Sequence, residues 1–168
     1  MPQTKVALEP IGLVRNEVKA QVNLEGFRRA ESEIVVKKKY VNGLKGLSEY
    51  SHVIVLFWLH RSKNEEPKMI VHPGNRNHLP RVGILATRNT RRRPNRIGVT
   101  VSKLLGVQSN IVRVKGLDAF NGSPVLDIKP YATWDIPSGS NVKGSLKDSS
   151  LEFDFKGKII VPEWWSRF

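Results

Sequence analysis

Five arginines crowd one short stretch, LATRNTRRRPNRIGVT at residues 85–100: Arg88, Arg91, Arg92, Arg93 and Arg96. A guanidinium is planar, permanently charged and donates in a fork. It therefore suits phosphate and carboxylate ligands and stacks on bases. Pro94 restricts φ in the middle of the stretch, and Gly98 permits close backbone approach at its end. A rigid basic loop running into a strand can hold a small anionic ligand and a polyanionic backbone together. The plain alternative is a solvated turn whose like charges repel.

A second dense segment is GLDAFNGSPVLDIKPY at residues 116–131. Asn121-Gly122-Ser123-Pro124 reads as a turn between two strands, exposing backbone groups that can meet the edge of a ring. Asp118 and Asp127 flank it, at a separation that is weak support for acid–base work. His52, His60, His72 and His78 match no zinc spacing, and no metal site is expected. His60-Arg61 closes a very apolar run, where a polar pair either lines a pocket or simply ends a strand. Glycine-rich dinucleotide and P-loop motifs are absent, as is a Gly-x-Ser-x-Gly elbow.

These groups must be positioned by short strands. Apolar or alternating runs at 11–18, 33–40, 52–60, 82–87, 97–107, 111–120, 124–131 and 158–164 predict a mainly β protein, with Gly, Pro, Asn and Ser between them. So many short strands point to a barrel or a sandwich. QSN at 108–110 predicts a hairpin, residues 40–52 a short helical turn, and the polar, proline-broken stretch 60–80 a loop. Residues 137–150 are rich in Gly and Ser, and the adjacent tryptophans of PEWWSRF at 162–168 predict a tail that docks.

The 168 residues carry 28 basic and 15 acidic side chains, a formal charge of +13 that favours a polyanionic partner. With no cysteine there is no disulfide, thiol nucleophile or cysteine-bound zinc. No apolar run reaches the roughly 18 residues of a membrane span, and MPQTKVALEP lacks the apolar core of a signal peptide. The expectation is a soluble, cytoplasmic, single domain over 1–168.

Four segments together carry a resemblance: ESEIVV (31–36), GLKGLSEYSHVIVLFWLH (43–60), ATR…RPNRIG (86–88 and 93–98) and GLDAFNGSPVLDIKPY (116–131). They resemble the TsaA-like, or TrmO, family of S-adenosylmethionine-dependent tRNA methyltransferases, over about residues 10–135. The resemblance implies a small β-barrel with short helical turns, working as a homodimer, and the aromatic tail 158–168 is expected to dock on that barrel. It also implies S-adenosyl-L-methionine as cofactor and tRNA as partner. The implied acceptor is the N6 nitrogen of N6-threonylcarbamoyladenosine next to the anticodon. Carried over by motif, the cofactor-binding positions are Gly26, Phe27, Arg28, His60, Arg61, Arg88, Val99, Asn121, Gly122, Ser123 and Pro124. Arg91, Arg92, Arg93 and Arg96 are expected to face tRNA phosphates. The chain departs from the family pattern at Asn89-Thr90, Arg96, Asn121 and Ser123.

Methyl transfer from a sulfonium is an in-line displacement that needs a positioned nucleophile and a dry pocket more than a strong base. No catalytic base is therefore assigned, and His60 reads as a ligand contact. Two other readings fit the same residues: a non-enzymatic RNA-binding barrel, and a methyltransferase of this fold with another substrate.

Overall fold

The computed structural model describes residues 5–18, 24–62, 66–88, 92–132 and 135. Six strands close into an antiparallel barrel in the order β1 (Gly12–Arg15), β2 (Glu31–Val36), β7 (Ile111–Lys115), β6 (Ile97–Gln108), β3 (His52–Trp58) and β8 (Pro124–Pro130). Strands β4 (Ile70–Val71) and β5 (Val82–Gly83) form a separate two-stranded sheet. The one α-helix among the described residues is α1 (Leu24–Arg29). None of their helices is long and apolar enough to cross a membrane.

Alternation explains the closure. Along β3, Val53, Val55 and Phe57 point inward and are buried, while His52, Ile54, Leu56 and Trp58 point outward. The same parity puts Ser32, Ile34 and Val36 of β2 and Val112 and Val114 of β7 inside. β-branched side chains fit this pleated, half-buried surface. The interior is a continuous apolar core completed by Val14, Leu104, Leu117, Ala119 and Val125. A six-strand barrel is too narrow to hold both this core and a ligand, so a site has to form on its rim or its outer face.

Gly98 makes the closure possible. It pairs with Phe57 across β3 and β6. A Cβ at residue 98 would stand 2.4 Å from the Phe57 ring, so the ring occupies the space that the missing side chain leaves. Two register shifts bend the sheet, opposite Leu56/Phe57 on β8 and at Leu104/Gly106 on β6.

The expected helical turn at 40–52 is present as 3-10 helices at Lys38–Leu44 and Leu47–Glu49, and the hairpin turns at Ser109 with positive φ. The run 33–40 is a strand only to Val36. Inward and outward positions alternate up to that residue, and three consecutive lysines then give the chain nothing to bury. The run 82–87 leaves the strand conformation after Gly83 and becomes a 3-10 helix over Ile84–Ala86. The run 111–120 ends as a strand at Lys115, because Gly116 turns the chain with φ of 86°. The stretch 60–80, expected to be a loop, contains β4 and a 3-10 helix at Pro73–Asn75. The expectations for 137–150, the strand at 158–164 and the aromatic tail lie outside the described residues.

Replacing Gly98 by alanine should lower stability by about 1–3 kcal/mol in urea unfolding, the usual cost of overpacking a core. Adding Phe57→Leu should return part of that loss. Additive losses would show that the ring does not depend on the glycine.

Candidate ligand-binding crown and arginine loop

One end of the barrel is apolar inside and polar at its rim. It is the end where β1, β3 and β7 finish and β2, β6 and β8 begin. Asn16 follows β1 on the inward parity and ties three segments together. Its Nδ2 donates to Ser32 Oγ and to the Ala119 carbonyl, both at 2.9 Å, and its backbone N–H donates to Asn121 Oδ1 at 3.2 Å. Sequence reading missed Asn16. The available signal was its place in the alternation after Gly12 and Val14, where an amide has to find partners once buried.

Two of the motif-derived positions meet here. His60 Nδ1 and Ser123 Oγ lie 3.1 Å apart, from segments 63 residues apart in sequence. Ser123 is 2% exposed, so its hydroxyl fixes the imidazole from the protein side. The turn that carries it is held by two backbone bonds, Gly122 N–H to the Val14 carbonyl at 2.8 Å and Ser123 N–H to the Phe120 carbonyl at 3.0 Å. Those two N–H groups are thus already engaged. Gly122 takes a φ of 78°, which a glycine tolerates.

Arg61 stacks on Phe120, with its guanidinium carbon 4.2 Å from the ring centroid. Phe27 meets the same ring edge-on at 5.2 Å and 70°. Phe27 is buried, so among Gly26, Phe27 and Arg28 it acts as the anchor of α1. The Gly26 carbonyl accepts the Ala30 N–H at the end of the same helix. An open groove of about 670 Å³ runs from this helix along β1 and β2, lined by Asn16, Gly26, Ser32 and the Arg15–Glu33 pair among others.

The arginine loop divides its side chains. Arg88 is exposed, and its Nη2 donates to the Val99 carbonyl at 3.3 Å, which brings two expected cofactor positions together. Arg93 does not face outward as expected. Its Nη1 donates to the carbonyls of Ile84 and Thr87, both at 3.1 Å. The Thr87 carbonyl follows the 3-10 helix and has no further turn to accept from, while the Ile84 carbonyl also accepts from the Thr87 N–H and hydroxyl. The backbone of the loop is pinned to the segment after β3, by Leu59 N–H to the Arg96 carbonyl at 2.8 Å and Lys68 N–H to the Arg92 carbonyl at 3.0 Å. Arg92 adopts a φ of 64°, and Arg92 and Arg96 are half-buried. Arg91 lies outside the described residues.

Asp118 lies in sequence between the buried Leu117 and Ala119. Burial pushes its carboxyl above the usual carboxylate range, and the Arg88 guanidinium pulls the other way. His72 and His52 serve local structure. His72 Nδ1 is 2.7 Å from the Leu79 carbonyl, and His52 Nδ1 is 2.9 Å from Ser51 Oγ. Burial, and then the Lys103 ammonium, hold the His52 imidazole below its ordinary value. Among the described residues no three His, Asp or Glu side chains gather as a metal site would require.

The outer wall beside Val99 is apolar. Three directly opposed pairs run along β3 and β6: Trp58–Ile97, Leu56–Val99 and Ile54–Val101. All six lie on the outward parity, and Val99 is 45% exposed. Across the barrel, the wall of β1, β2 and β7 instead carries the ion pairs Arg15–Glu33 and Arg113–Glu31.

The molecule is thus a small closed barrel with a polar crown at one end and an arginine loop packed beside it. The chain belongs to the family of the tRNA-methyltransferase O N-terminal domain, which matches residues 15–135. This bears out the resemblance read from its motifs. It is 37% identical over 134 residues to a probable S-adenosyl-L-methionine-binding protein of Methanothermobacter thermautotrophicus, covering 78% of this chain and 93% of that protein. It is 35% identical over 155 residues to the tRNA (adenine(37)-N6)-methyltransferase of Homo sapiens, covering 86% of this chain but 34% of the human protein. The crystal structure of TrmO from Pseudomonas aeruginosa superimposes with a TM-score of 0.63 at 27% identity, covering 84% of this chain and 63% of that one.

Arg93→Ala removes two charge-assisted bonds and should lower stability by roughly 1–3 kcal/mol. Amide hydrogen exchange should quicken at Thr87, whose N–H closes the helix onto Ile84. Arg93→Lys should recover only part of the loss, since an ammonium lacks the guanidinium's reach and fixed fork. Unchanged exchange at Thr87 in Arg93→Ala would show that the arginine does not hold this turn.

Proposed function

We propose that this protein is an S-adenosylmethionine-dependent tRNA methyltransferase acting on the N6 nitrogen of the adenosine next to the anticodon, with the N6-threonylcarbamoyl form as acceptor. The observation that carries the reading is family membership over residues 15–135, joined to the meeting of His60 with Ser123 and of Arg88 with Val99 at the crown. The names of the relatives supply the cofactor and the reaction.

The donor set of the crown fits that cofactor. Arg88 suits its carboxylate, and His60, fixed by Ser123, suits a neutral polar contact. In the turn, the N–H groups of Gly122 and Ser123 are engaged within the fold. The Asn121 and Gly122 carbonyls are then the natural acceptors for an adenine amine. When bound, the cofactor supplies an activated methyl group on a sulfonium. The protein's own residues orient the acceptor and exclude water, and the acidity of a carbamoylated N6–H removes the need for a strong base.

The site is open in a single chain, since Arg88 and Val99 are exposed. A small-molecule site buries most of its ligand. We read the apolar pairs on β3 and β6 as the seat of a second copy, which would close the site. Arg91, Arg92 and Arg96 are proposed to meet tRNA phosphates.

Purified protein, incubated with S-adenosylmethionine and tRNA, should add one methyl group to that adenosine, read by nucleoside mass spectrometry. Binding of tRNA with no methyl added would favour the non-enzymatic barrel. Methylation elsewhere would point to another substrate.

Replacing Arg91 and Arg92 by alanine should raise the apparent KM for tRNA and flatten its salt dependence, because a surface that neutralises fewer phosphates displaces fewer counterions. Cofactor affinity should stay unchanged. An unaltered salt slope would remove these arginines from the tRNA surface.

Light scattering should give about twice the 19.0 kDa of the chain. Val99→Glu should shift it to the monomer, since a charge would be buried unpaired at the interface. A wild-type monomer at micromolar concentration would remove the idea of a shared site.

A further inference from the structure

We propose that Lys103 and Lys115 form a phosphate clamp on the outer wall of the barrel, a contact for the RNA backbone separate from the crown and from the arginine loop. This rests on the reading of tRNA as the partner, and adds to it a surface that no sequence motif marks.

Strand register places the two lysines together. Lys103 of β6 is directly opposite Lys115 of β7, and on its other side it is directly opposite His52 of β3. Directly opposed residues on one sheet face have Cβ atoms about 4.5–5.5 Å apart, and like charges in that arrangement repel. Both lysines are exposed. Burial, and then the Lys103 ammonium, keep the His52 imidazole below its ordinary value, so the positive charge of this row at neutral pH belongs to the lysines.

Other cations of the barrel strands are compensated. Arg15 is paired with Glu33, Arg113 with Glu31 and Lys129 with Asp127. Glu31 stands opposite Lys115 in the register, yet its carboxylate goes to Arg113 at 3.2 Å. Among the described residues no carboxylate pairs with Lys103 or Lys115. Two ammonium groups held face to face by a closed sheet favour an anion with more than one oxygen. A phosphodiester has two non-bridging oxygens that share its charge and can accept from both lysines at once.

Position selects among anions. Lys103 lies six residues along β6 from Ile97, where the arginine loop ends. That is roughly 20 Å at about 3.3 Å per residue. One small ligand does not span this distance, whereas the backbone of a folded RNA does. The outward pairs of β3 and β6 are apolar as far as Ile54–Val101 and become basic at His52–Lys103. The clamp thus lies at the margin of the proposed seat of a second copy, where charge and water are tolerated.

The test is a salt series of tRNA binding to the full chain, read by fluorescence anisotropy. It compares wild type with Lys103→Gln/Lys115→Gln and with Lys37→Gln/Lys39→Gln. The last pair removes the same charge from lysines already bound to Glu9. The clamp variant should lower the slope of log K against log salt by about 1, the value for one lost phosphate contact. The control pair should change it much less. A second readout needs no RNA. With the repulsion relieved, the clamp variant should resist urea better than wild type at low salt. The gain should vanish at 1 M salt, where charges are screened within about 3 Å.

An unchanged slope would overturn the clamp. An equal fall in the control pair would overturn it too, leaving only the general field of a basic chain. So would a clamp variant less stable at low salt, because the fold itself would then compensate the lysines. A changed mass in light scattering with an unaltered slope would give the lysines to carboxylates of a second copy instead. Wild-type protein that binds no tRNA would remove the tRNA reading itself, a failure distinct from a bound tRNA whose salt slope ignores these lysines.

Discussion

Closure of a six-strand barrel around a filled interior is the constraint on which the rest of the structure depends. Val53, Val55 and Phe57 from β3 meet Ile34, Val112, Val114 and Val125 in a space with no room for anything else. Phe57 lies where a side chain at Gly98 would have to be. Closure gives each barrel strand a hydrogen-bonded neighbour on both sides. The consequence is functional. Polar groups capable of chemistry are driven to the rim, and the rim at the end of β1, β3 and β7 is where Asn16, His60 and Ser123 collect.

That rim is held in place by the core beneath it. Asn16 bonds Ser32, Ala119 and Asn121 at once, so the ends of β1 and β2 and the turn before β8 move together. The arginine loop is fastened to the same unit through Leu59 and Lys68. Concentrated positive charge would ordinarily keep such a loop extended. Arg93 counters this by giving its guanidinium to the loop's own carbonyls. The backbone at Arg92 and Arg96 is held to Lys68 and Leu59, which would lower the conformational entropy lost in meeting an anion.

The outside of the barrel is differentiated in the same economical way. Exposed ion pairs on β1, β2 and β7 add little stability but keep that wall in water. Opposed apolar pairs on β3 and β6 do the reverse, and they adjoin Val99 and Arg88. In the proposed dimer, covering that wall would also shelter the proposed site.

Much of the barrel was legible in sequence because its signal is local. The apolar or β-rich runs at 52–58, 97–108, 111–115 and 124–130 can be read directly, and the QSN hairpin follows from its turn residues. The arginine cluster and the Asn121–Pro124 turn were equally visible, and the family motifs named positions on both. Short elements were not legible. A six-residue α1 and the three-residue 3-10 helices span too few turns to show a period, and the two-residue β4 and β5 exist only because each supplies the other's hydrogen bonds. The site itself was decided by tertiary structure. His60 and Ser123 touch across 63 residues, Arg88 reaches Val99 through a loop, and Arg93 turns inward. Side-chain types and alternation are properties of the chain, and they determined which residues could act. Proximity and direction arise only when the sheet closes on itself, and closure is what chose Asn16, His60 and Arg88 from among the many charged and polar residues of the sequence.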